Sequence, residues 1–429
     1  MKTMVYPERR LEVRAEYDLL VCGAGMAGIA AAVNAAREGL KVGMIEYFGK
    51  PGGVPVSGLL GVVSGYGCGE ERITSAFMNR LRERAVAVGG VNERNGYLMF
   101  DPEKLNRILL ELLEEYGIDL HLYTRLVDAV REGEALRYAV VASKAGMGAL
   151  EAGVFVDATG DGDLAAMAGC PFEMGRESDG RVQSSSLTFQ VSGVKAAEVP
   201  QTMPEMSAIW RSFPQQVPID HMVIKYMPER NGLLDGIVNM THIPDCNSLN
   251  PADQVRIRRE GTRQAFWILE FLQKHVPGFE HAYISATAEQ LGVRETRRIL
   301  GDYVLTEEDV LSGRDFPDEI ARCCWGIDVH NPTGTHTGIE RPIRRTYGIP
   351  YRCITPRGIS NLYIAGRPIS ATHRAFSSSR INSTCIMIGE AVGLAAPSAL
   401  RQRGTRKADV AAVQEKLVRE GTSVHRSER

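Results

Sequence analysis

The pattern of apolar and polar positions predicts a βαβ unit at the start of the chain. Residues 17–22 form a short apolar run that ends at Gly23, which is typical of a buried strand. Residues 27–38 are rich in alanine and favour a helix, and Gly39 suits its C-terminal end. A second apolar run, residues 41–46, predicts the next strand, so strand, helix and strand follow one another within about thirty residues.

Amphipathic and alternating patterns extend these predictions along the chain. The predicted helices cover residues 102–116, 251–275 and 382–400, and the predicted strands cover residues 120–123, 127–131, 136–142, 150–156, 187–191, 221–226 and 362–365. Asp101 is a natural N-cap for the helix that starts at Pro102. The composition changes between about residues 170 and 325, where serine clusters and prolines interrupt the apolar pattern. This change indicates an inserted second domain.

A glycine motif marks the junction between the first strand and the first helix. Gly23, Gly25 and Gly28 follow the form G-x-G-x-x-G, and Met26 and Ala27 open the helix. The first glycine permits a tight turn, the second leaves room for a pyrophosphate, and the third lets helix and strand pack closely. Free N–H groups and the positive end of the helix dipole favour phosphate there. The segment therefore predicts a dinucleotide site.

An acidic residue completes this pattern. Glu46 ends the second strand, eighteen residues after Gly28. A carboxylate in that position accepts hydrogen bonds from ribose hydroxyls. The glycine motif is weak evidence by itself, whereas strand, glycines, helix, strand and terminal acid together are specific. The pattern does not say which dinucleotide is bound.

Composition and charge narrow the classes of function. The chain has 429 residues, 44% hydrophobic and 24% charged, with a formal net charge of -2, so it lacks the basic excess that favours nucleic acid. No stretch reaches the roughly 18 apolar residues of a membrane span, and the N-terminus has no apolar leader core. We therefore expect a cytoplasmic protein. The cysteines and histidines show no metal-ligand or disulfide spacing, so no metal site is predicted.

Three further segments carry a family resemblance. They are residues 51–58 (PGGVPVSG), 157–163 (DATGDGD) and 361–367 (NLYIAGR). Their candidate cofactor contacts are Gly52, Gly53, Ser57, Thr159, Gly160, Asp161, Gly366 and Arg367. Together with the first motif, they resemble the two-dinucleotide-fold flavoproteins related to glutathione reductase and fumarate reductase flavoproteins. The form of residues 157–163 is most similar to the group called FAD-dependent oxidoreductases.

The resemblance implies a bound FAD and a fold. We expect an α/β protein with a Rossmann-type FAD-binding domain built from both chain ends, residues 1–170 and 326–402. An α+β substrate domain, residues 171–325, is inserted between them, and residues 403–429 form a C-terminal surface tail. The flavin is expected where the two domains meet, because ligand sites favour such interfaces.

Two details of the last segment affect the cofactor prediction. The wider family often ends this strand in Gly-Asp, whereas this chain has Gly366 and Arg367, so no acidic ligand is expected. The helix from Asn382 is expected to aim its N-terminus at the flavin ring, where its dipole would stabilise reduced, anionic flavin. A second G-x-G-x-x-G and a redox C-x-x-C are both missing from the sequence. We therefore expect no stable NAD(P)H domain.

Three residues are candidates for catalysis. His373, in a Ser-Ala-Thr-His turn after the last predicted strand, is the first candidate for general acid or base. Arg380 follows seven residues later and could hold an anionic group in a bidentate manner. His330 lies at the return from the inserted domain. The alternatives are a hydrogen-bonded loop histidine for His373 and a turn before Pro332 for His330.

Two other groups of residues contain side chains that are suited to chemistry. Residues 294–298 (RETRR) resemble a motif of the closer group, and on a helix the three arginines would share one side. They would bind a carboxylate or phosphate, or else form an interdomain salt-bridge network. Cys68, Cys323 and Cys324 are expected to be buried and incidental, because their spacing does not indicate redox exchange.

The predicted function is that of an FAD-dependent oxidoreductase. It would pass a hydride between bound FAD and a small polar substrate, either anionic or hydroxylated, such as a sugar acid. The expected partners are this substrate and an electron acceptor, either oxygen, a quinone or a carrier protein, and a homo-oligomer is compatible with the sequence. The alternatives are a flavoprotein subunit of a larger electron-transfer complex, a flavin-dependent RNA-modifying protein and a non-catalytic flavin-binding protein.

Overall fold

Helices alternate with strands through most of the chain. The computed structural model describes residues 3–4, 8–68, 71–94, 97–200, 202–214, 216–335 and 338–426. Its helices are α1 (Met26–Arg37), α2 (Ala76–Ala87), α3 (Pro102–Glu115), α4 (Asp163–Met167), α5 (Met203–Arg211), α6 (Pro251–His275), α7 (Glu307–Ser312), α8 (His373–Ser379), α9 (Asn382–Gln402) and α10 (Val410–Glu420), with short 3-10 turns at Tyr351–Cys353 and Thr405–Lys407. The long predicted helix α6 is confirmed at both ends.

The strands form one large sheet and several smaller ones. They are β1 (Val13–Cys22), β2 (Val42–Ile45), β3 (Val62–Val63), β4 (Gly67–Cys68), β5 (Glu71–Arg72), β6 (Val91–Arg94), β7 (Tyr97–Phe100), β8 (Asp119–His121), β9 (Arg125–Glu132), β10 (Ala135–Ser143), β11 (Gly146–Asp157), β12 (Phe172–Met174), β13 (Phe189–Lys195), β14 (Ile224–Tyr226), β15 (Leu233–Val238), β16 (Tyr283–Thr287), β17 (Arg297–Ile299), β18 (Glu319–Cys323), β19 (Tyr347–Pro350) and β20 (Leu362–Ile364). The predicted α/β class is confirmed.

The large sheet carries the βαβ unit and joins both ends of the chain. Its order is β8-β2-β1-β11-β10-β9, and β20 pairs with the second half of β11. Strands β8, β2, β1, β11 and β20 run parallel. Their register aligns Cys22 with Ile45 and Asp157, Ile45 with His121, and Asp157 with Ile364. The loops after all five strands therefore leave the same edge of the sheet.

Strand β1 shows why this sheet forms where it does. Its last four residues are fully buried, as expected of a central parallel strand that is covered on both faces. The strand begins four residues earlier than predicted, because Val13 to Glu16 pair with the first half of β11. Apolar and polar residues alternate here and none of the four is buried, so their sequence lacks the continuous apolar run of a buried strand.

Helices α1 and α9 pack together on this sheet at backbone distance. A Cβ atom placed on Gly389 of α9 would collide with the carbonyl oxygen of Ala27 in α1, and one on Gly393 would collide with that of Ala31. Side chains at these two positions would hold the helices apart. The close packing joins the C-terminal part of the chain to the helix that follows the glycine motif.

Helix α9 is the one helix of the described residues that is long and apolar enough to cross a membrane. However, 89% of its apolar window is buried inside the protein. Such burial is typical of a core helix, because every face of α9 is covered by protein. No membrane span is therefore indicated in the part of the chain that the structure describes.

A second, smaller core lies in the middle of the chain. Strands β14, β15, β13 and β16 form an antiparallel sheet, and helices α5 and α6 contribute the fully buried Trp210 and Leu272 to its core. Apolar side chains between Ile299 and Cys324 pack into the first core. The predicted inserted domain, in contrast, includes these residues and ends at residue 325. The predicted domain boundaries have no independent test and stay a prediction.

Two segments differ in structure from their sequence patterns. Residues 294–298 do not form the helix considered above, because Arg297 and Arg298 begin strand β17, which pairs with β12. Successive side chains of a strand point to opposite faces, so the arginines separate. In the predicted surface tail, helix α10 buries Val413 and Leu417 in the first core, and its last residue, Glu420, pairs with Arg37 at 2.8 Å.

The contact between α1 and α9 can be tested with Gly389→Ala. Alanine favours a helix over glycine by about 1 kcal/mol, yet we expect the variant to lose about 1–3 kcal/mol in free energy of unfolding because the methyl group overpacks the helix contact. Urea unfolding measures this difference. Gly404→Ala is the control, since its Cβ would meet no described atom closer than 3.6 Å. Equal stability of both variants and the native protein would show that the helices are not in backbone contact.

Candidate active site

One large cavity opens at the edge where the five parallel strands end. Its volume is about 1920 Å³, whereas ligand pockets usually measure about 300–1,000 Å³. The loops after these strands contribute Gly23, Gly25, Met26, Ala27, Glu46, Tyr47, Phe48, Thr124, Arg125, Leu126, Thr159, Gly160, Asp161, Gly366 and Arg367 to its lining. The second core contributes the opposite wall, including Thr188, His221 and Lys225. The cavity therefore has room for a dinucleotide and a substrate.

The glycine motif forms the floor of the cavity at the start of α1. Gly23 has a φ of +104°, which favours glycine, and a Cβ on Gly28 would collide with the carbonyl oxygen of Gly23. A Cβ on Gly25 would meet no described atom within 4 Å, so this glycine faces open space in the cavity. The first N–H groups of α1 point there as well. The geometry suits a pyrophosphate.

Glu46 is fixed beside this floor by two backbone groups. Its carboxylate accepts hydrogen bonds from the N–H of Ala24 at 2.8 Å and of Phe48 at 2.9 Å. Burial raises the pKa of Glu46, and the backbone hydrogen bonds partly offset this effect. One carboxylate offers about four acceptor positions, so positions remain for ribose hydroxyls. The structure thus places Glu46 where the sequence predicted an acceptor.

Arg367 lines the next part of the cavity wall and connects three loops through its hydrogen bonds. Its guanidinium donates to the carbonyl oxygen of Gly160 at 2.7 Å and lies 2.5 Å from the carboxylate of Asp161. It also donates to the carbonyl oxygen of Val293. Asp161 accepts a further hydrogen bond from Thr296 at 2.6 Å. Arg367 and Asp161 therefore neutralise each other and position the loops after β11 and β20.

The turn that carries Thr159 is held by a buried acid. The carboxylate of Asp157 accepts hydrogen bonds from the hydroxyl of Thr159 at 2.7 Å and from the N–H of Ala165 at 2.9 Å. Burial raises the pKa of Asp157 to about 6. These hydrogen bonds hold the turn in place, with Thr159 and Gly160 lining the cavity.

Three of the predicted cofactor contacts are not among the described residues that line the cavity. Gly28 packs against Gly23, as the motif requires. Gly52 is paired with Gly25 in an isolated bridge, and it brings Gly53 to the cavity. Ser57 accepts a hydrogen bond at its carbonyl oxygen from the N–H of residue 290. These residues shape the backbone behind the cavity, and any contact with a ligand stays a prediction.

His373 lies behind the wall rather than on it. It is the first residue of α8, and the hydroxyl of Thr372 caps that helix. Its Nδ1 atom is 2.9 Å from the carboxylate of Glu295, which also pairs with Arg298. His373 is not among the described residues that line the cavity. The Ser-Ala-Thr-His turn that suggested catalysis is therefore explained locally by a helix cap.

Two arginines line a further part of the cavity wall. Arg380 lines the cavity and donates to the carbonyl oxygen of Asp328 at 3.1 Å, with its carboxylate at 4.0 Å. Arg294 also lines the cavity, is only 8% exposed, and donates to the carbonyl oxygen of Ser184 at 3.1 Å. Burial, and then repulsion by Arg380, lower the pKa of Arg294. Asp328 is the one carboxylate that acts on both guanidinium groups, and Glu295, which is already paired with Arg298, also acts on Arg380. Part of the charge of the two arginines is therefore uncompensated.

His330 joins this group from the loop after β18. It lines the cavity, and its Nε2 atom is 3.8 Å from the carboxylate of Asp328. The backbone N–H of His330 donates to the side chain of Gln183 at 3.1 Å, and Arg380 donates to the same oxygen at 3.4 Å. Gln183 thus connects the two predicted residues, and the structure brings His330 and Arg380 together at the cavity.

Sequence reasoning missed the cavity residues that follow strand β8. Thr124 and Arg125 line the cavity next to Glu46, and the N–H of Thr124 donates to the carbonyl oxygen of Glu46 at 2.8 Å. The strand predicted before them, at residues 120–123, corresponds to β8. Ligands of parallel sheets bind at the carboxyl ends of the strands, so the residues after this strand were open to prediction by the same rule.

A family model and several solved structures match the chain. The family model for FAD dependent oxidoreductase matches residues 18–417, whereas no curated protein matches the chain. A geranylgeranyl bacteriochlorophyll reductase-like protein from Thermoplasma acidophilum is 14% identical, with a TM-score of 0.49 over 95% of this chain and 84% of that chain. The flavin-dependent brominase Bmp2 is 14% identical, with a TM-score of 0.46 over 94% and 83%. The p-nitrophenol 4-monooxygenase of Pseudomonas putida is 11% identical, with a TM-score of 0.43 over 94% and 81%.

The fixed carboxylate gives a test of the cofactor site. We expect Glu46→Gln to weaken FAD binding about tenfold or more, which is about 1.4 kcal/mol, because an amide group cannot accept hydrogen bonds at both ends. Fluorescence titration of the apoprotein with FAD measures the dissociation constant. Glu16→Gln, at an exposed position on β1, is the control. If both variants bind FAD as tightly as the native protein, Glu46 does not contribute to the site.

Proposed function

The chain belongs to the FAD dependent oxidoreductase family, and from that premise we propose that it transfers a hydride between FAD and a small polar substrate that carries an anionic group. The enzyme class and the cofactor follow from the family. The observation that supports an anionic substrate is the pair of buried arginines, Arg294 and Arg380, on the wall of the cavity. An anion would supply the charge that Asp328, together with a Glu295 already paired with Arg298, does not.

We assign successive groups of cavity residues to the pyrophosphate, a ribose and the flavin ring of FAD. Gly25 and the start of α1 would hold the pyrophosphate, and Glu46 would hold a ribose. The start of α9, at Ile381 and Asn382, lines the cavity further on, and its dipole suits the flavin ring. Bound FAD supplies the hydride acceptor or donor. In this proposal, the protein's own side chains bind the substrate and accept its proton.

Arg294 and Arg380 are proposed to bind the anionic group of the substrate. A guanidinium matches a carboxylate geometrically, because two parallel N–H groups meet two oxygens. Arg294 is fixed by Ser184, and Arg380 by Asp328 and Gln183. Side chains that are already fixed lose little freedom when a ligand binds. Burial also excludes water, which strengthens the attraction.

His330 is our proposed proton acceptor for an oxidised hydroxyl group. It lies on the same wall as Arg380, and the carboxylate of Asp328 at 3.8 Å would stabilise its protonated form. His373 was the first candidate, but its partner is Glu295 behind the wall. We therefore propose that His373 positions Glu295 and the strand with Arg298. Electrons would leave to oxygen, a quinone or a carrier protein.

Anaerobic bleaching of the flavin tests this proposal. We expect 2-hydroxy acids or sugar acids to reduce bound FAD, and their uncharged amides or polyols to fail, because the amides and polyols lack the anionic group. Arg380→Gln should lower kcat/KM for the best acid about 100-fold, equivalent to about 2.7 kcal/mol. Arg357→Gln, at an exposed position, is the matched control. A screen in which only uncharged hydrophobic compounds bleach the flavin would contradict the proposal.

A further inference from the structure

One lysine of the cavity wall has no acidic partner in the described part of the chain. Lys225 lies on strand β14, is half-buried and lines the cavity. Its ammonium group lies 4.1 Å from the centre of the Tyr97 ring, which lines the cavity as well. Burial lowers the pKa of Lys225, and no carboxylate of the described residues offsets this effect. A partly buried cation of this kind is unfavourable unless a ligand supplies the opposite charge.

An unsatisfied amide lies on the same face of the small sheet. Lys225 pairs with Ile237 on the antiparallel strand β15. The ladder continues to Asn239, whose N–H donates to the carbonyl oxygen of Val223 at 3.0 Å. Residues two positions apart on a strand share a face, and Asn239 lines the cavity. Its amide oxygen is buried and has no hydrogen-bond partner among the described residues.

The other face of these two strands is used for packing. Ile224 and Val238, which precede Lys225 and Asn239 in the sequence, are buried in the second core. The sheet therefore presents apolar side chains to its own core, and it presents a cation and a hydrogen-bond acceptor to the cavity.

This polar face adjoins the end of the cavity that the proposed function assigns to the flavin ring. Tyr97 and Val62 pack against a small buried cluster that includes Ile237. The carbonyl oxygen of Val62 accepts a hydrogen bond from the side chain of Asn382, the first residue of α9, at 2.9 Å. The phosphates of FAD are assigned to Gly25 on the opposite wall, so they do not supply the charge that the lysine needs.

We infer that the substrate is a hydroxylated dicarboxylate, such as a sugar diacid, and that Lys225 binds its second carboxylate. Arg294 and Arg380 would bind the first carboxylate, and a hydroxyl group of the substrate would donate a hydrogen bond to Asn239. Binding at both ends would hold the reacting carbon in one orientation. The inference rests on the proposed function for the first anionic group, and it goes beyond it by specifying the group at the other end.

Binding of matched acids tests the inference. The FAD-loaded protein is reduced and desalted without oxygen, so that it cannot oxidise a bound acid, and is then titrated calorimetrically. The probes are sugar diacids of four to six carbons and the sugar monoacids of the same length, in which CH2OH replaces the second carboxylate. We expect the best diacid to bind about tenfold more tightly than its monoacid, which is about 1.4 kcal/mol. A native protein that binds both equally overturns the inference.

Variants of the lysine show whether it causes this preference. We expect Lys225→Met to bind the diacid only as tightly as the monoacid, with unchanged affinity for the monoacid, and Lys225→Arg to restore the preference in part. Lys274→Met is the matched control, because its side chain on α6 is 68% exposed, and it should keep the full preference. A preference that survives in Lys225→Met, or equal weakening of both acids, overturns the inference.

A change at the neighbouring amide gives a second, independent variant. Asn239→Asp places a carboxylate on the face that carries Lys225, so it should also remove the preference for the diacid. FAD content is measured for every variant, and affinities are expressed per bound FAD, so that poor folding cannot imitate the expected loss. If Lys225→Met does not retain FAD, an unchanged preference in Asn239→Asp overturns the inference.

The two proposals fail in different ways. If monoacids and diacids bleach the flavin but bind equally, the second carboxylate site is wrong and the proposed function stands. If the diacid preference depends on Lys225 but no acid bleaches the flavin, the proposed hydride transfer is wrong and the second site stands.

Discussion

The alignment of five parallel strands at one edge is the constraint on which the rest of the structure depends. Strand β11 occupies the central place, with β1 on one side and β20 on the other. Since β20 begins at residue 362, the edge is complete only when both ends of the chain have joined the sheet. Each loop that follows this edge brings one part of the site to the same cavity. The contact of α1 with α9 holds the two ends together.

Charge is distributed unevenly around this cavity. Near the cofactor edge, Arg367 is matched by Asp161, so its charge is satisfied within the protein. Further along, the carboxylate of Asp328 acts on both Arg294 and Arg380, and Glu295, which is already paired with Arg298, acts on Arg380 as well. A buried charge without a full partner is unfavourable unless a ligand supplies one. The first arrangement therefore stabilises the fold, whereas the second is available for binding.

Local patterns predicted the cofactor edge well, because its signals lie close together in the sequence. The glycine motif and Glu46 belong to one βαβ unit, and Gly23, Gly25 and Glu46 line the cavity. Residues 294–298 do not form a helix, and the strand that begins at Arg297 exists only through pairing with residues 172–174. The signal at His373 was ambiguous for a different reason, because helix capping and catalysis select similar short polar turns.

The central claim is that this edge holds FAD. The absorbance spectrum of the purified protein, taken before and after heat precipitation, tests it most directly. We expect flavin bands at ~450 nm and release of one FAD per chain into the supernatant. A colourless protein that also fails to take up added FAD would contradict the claim, and the glycine-lined cavity would then require a different ligand.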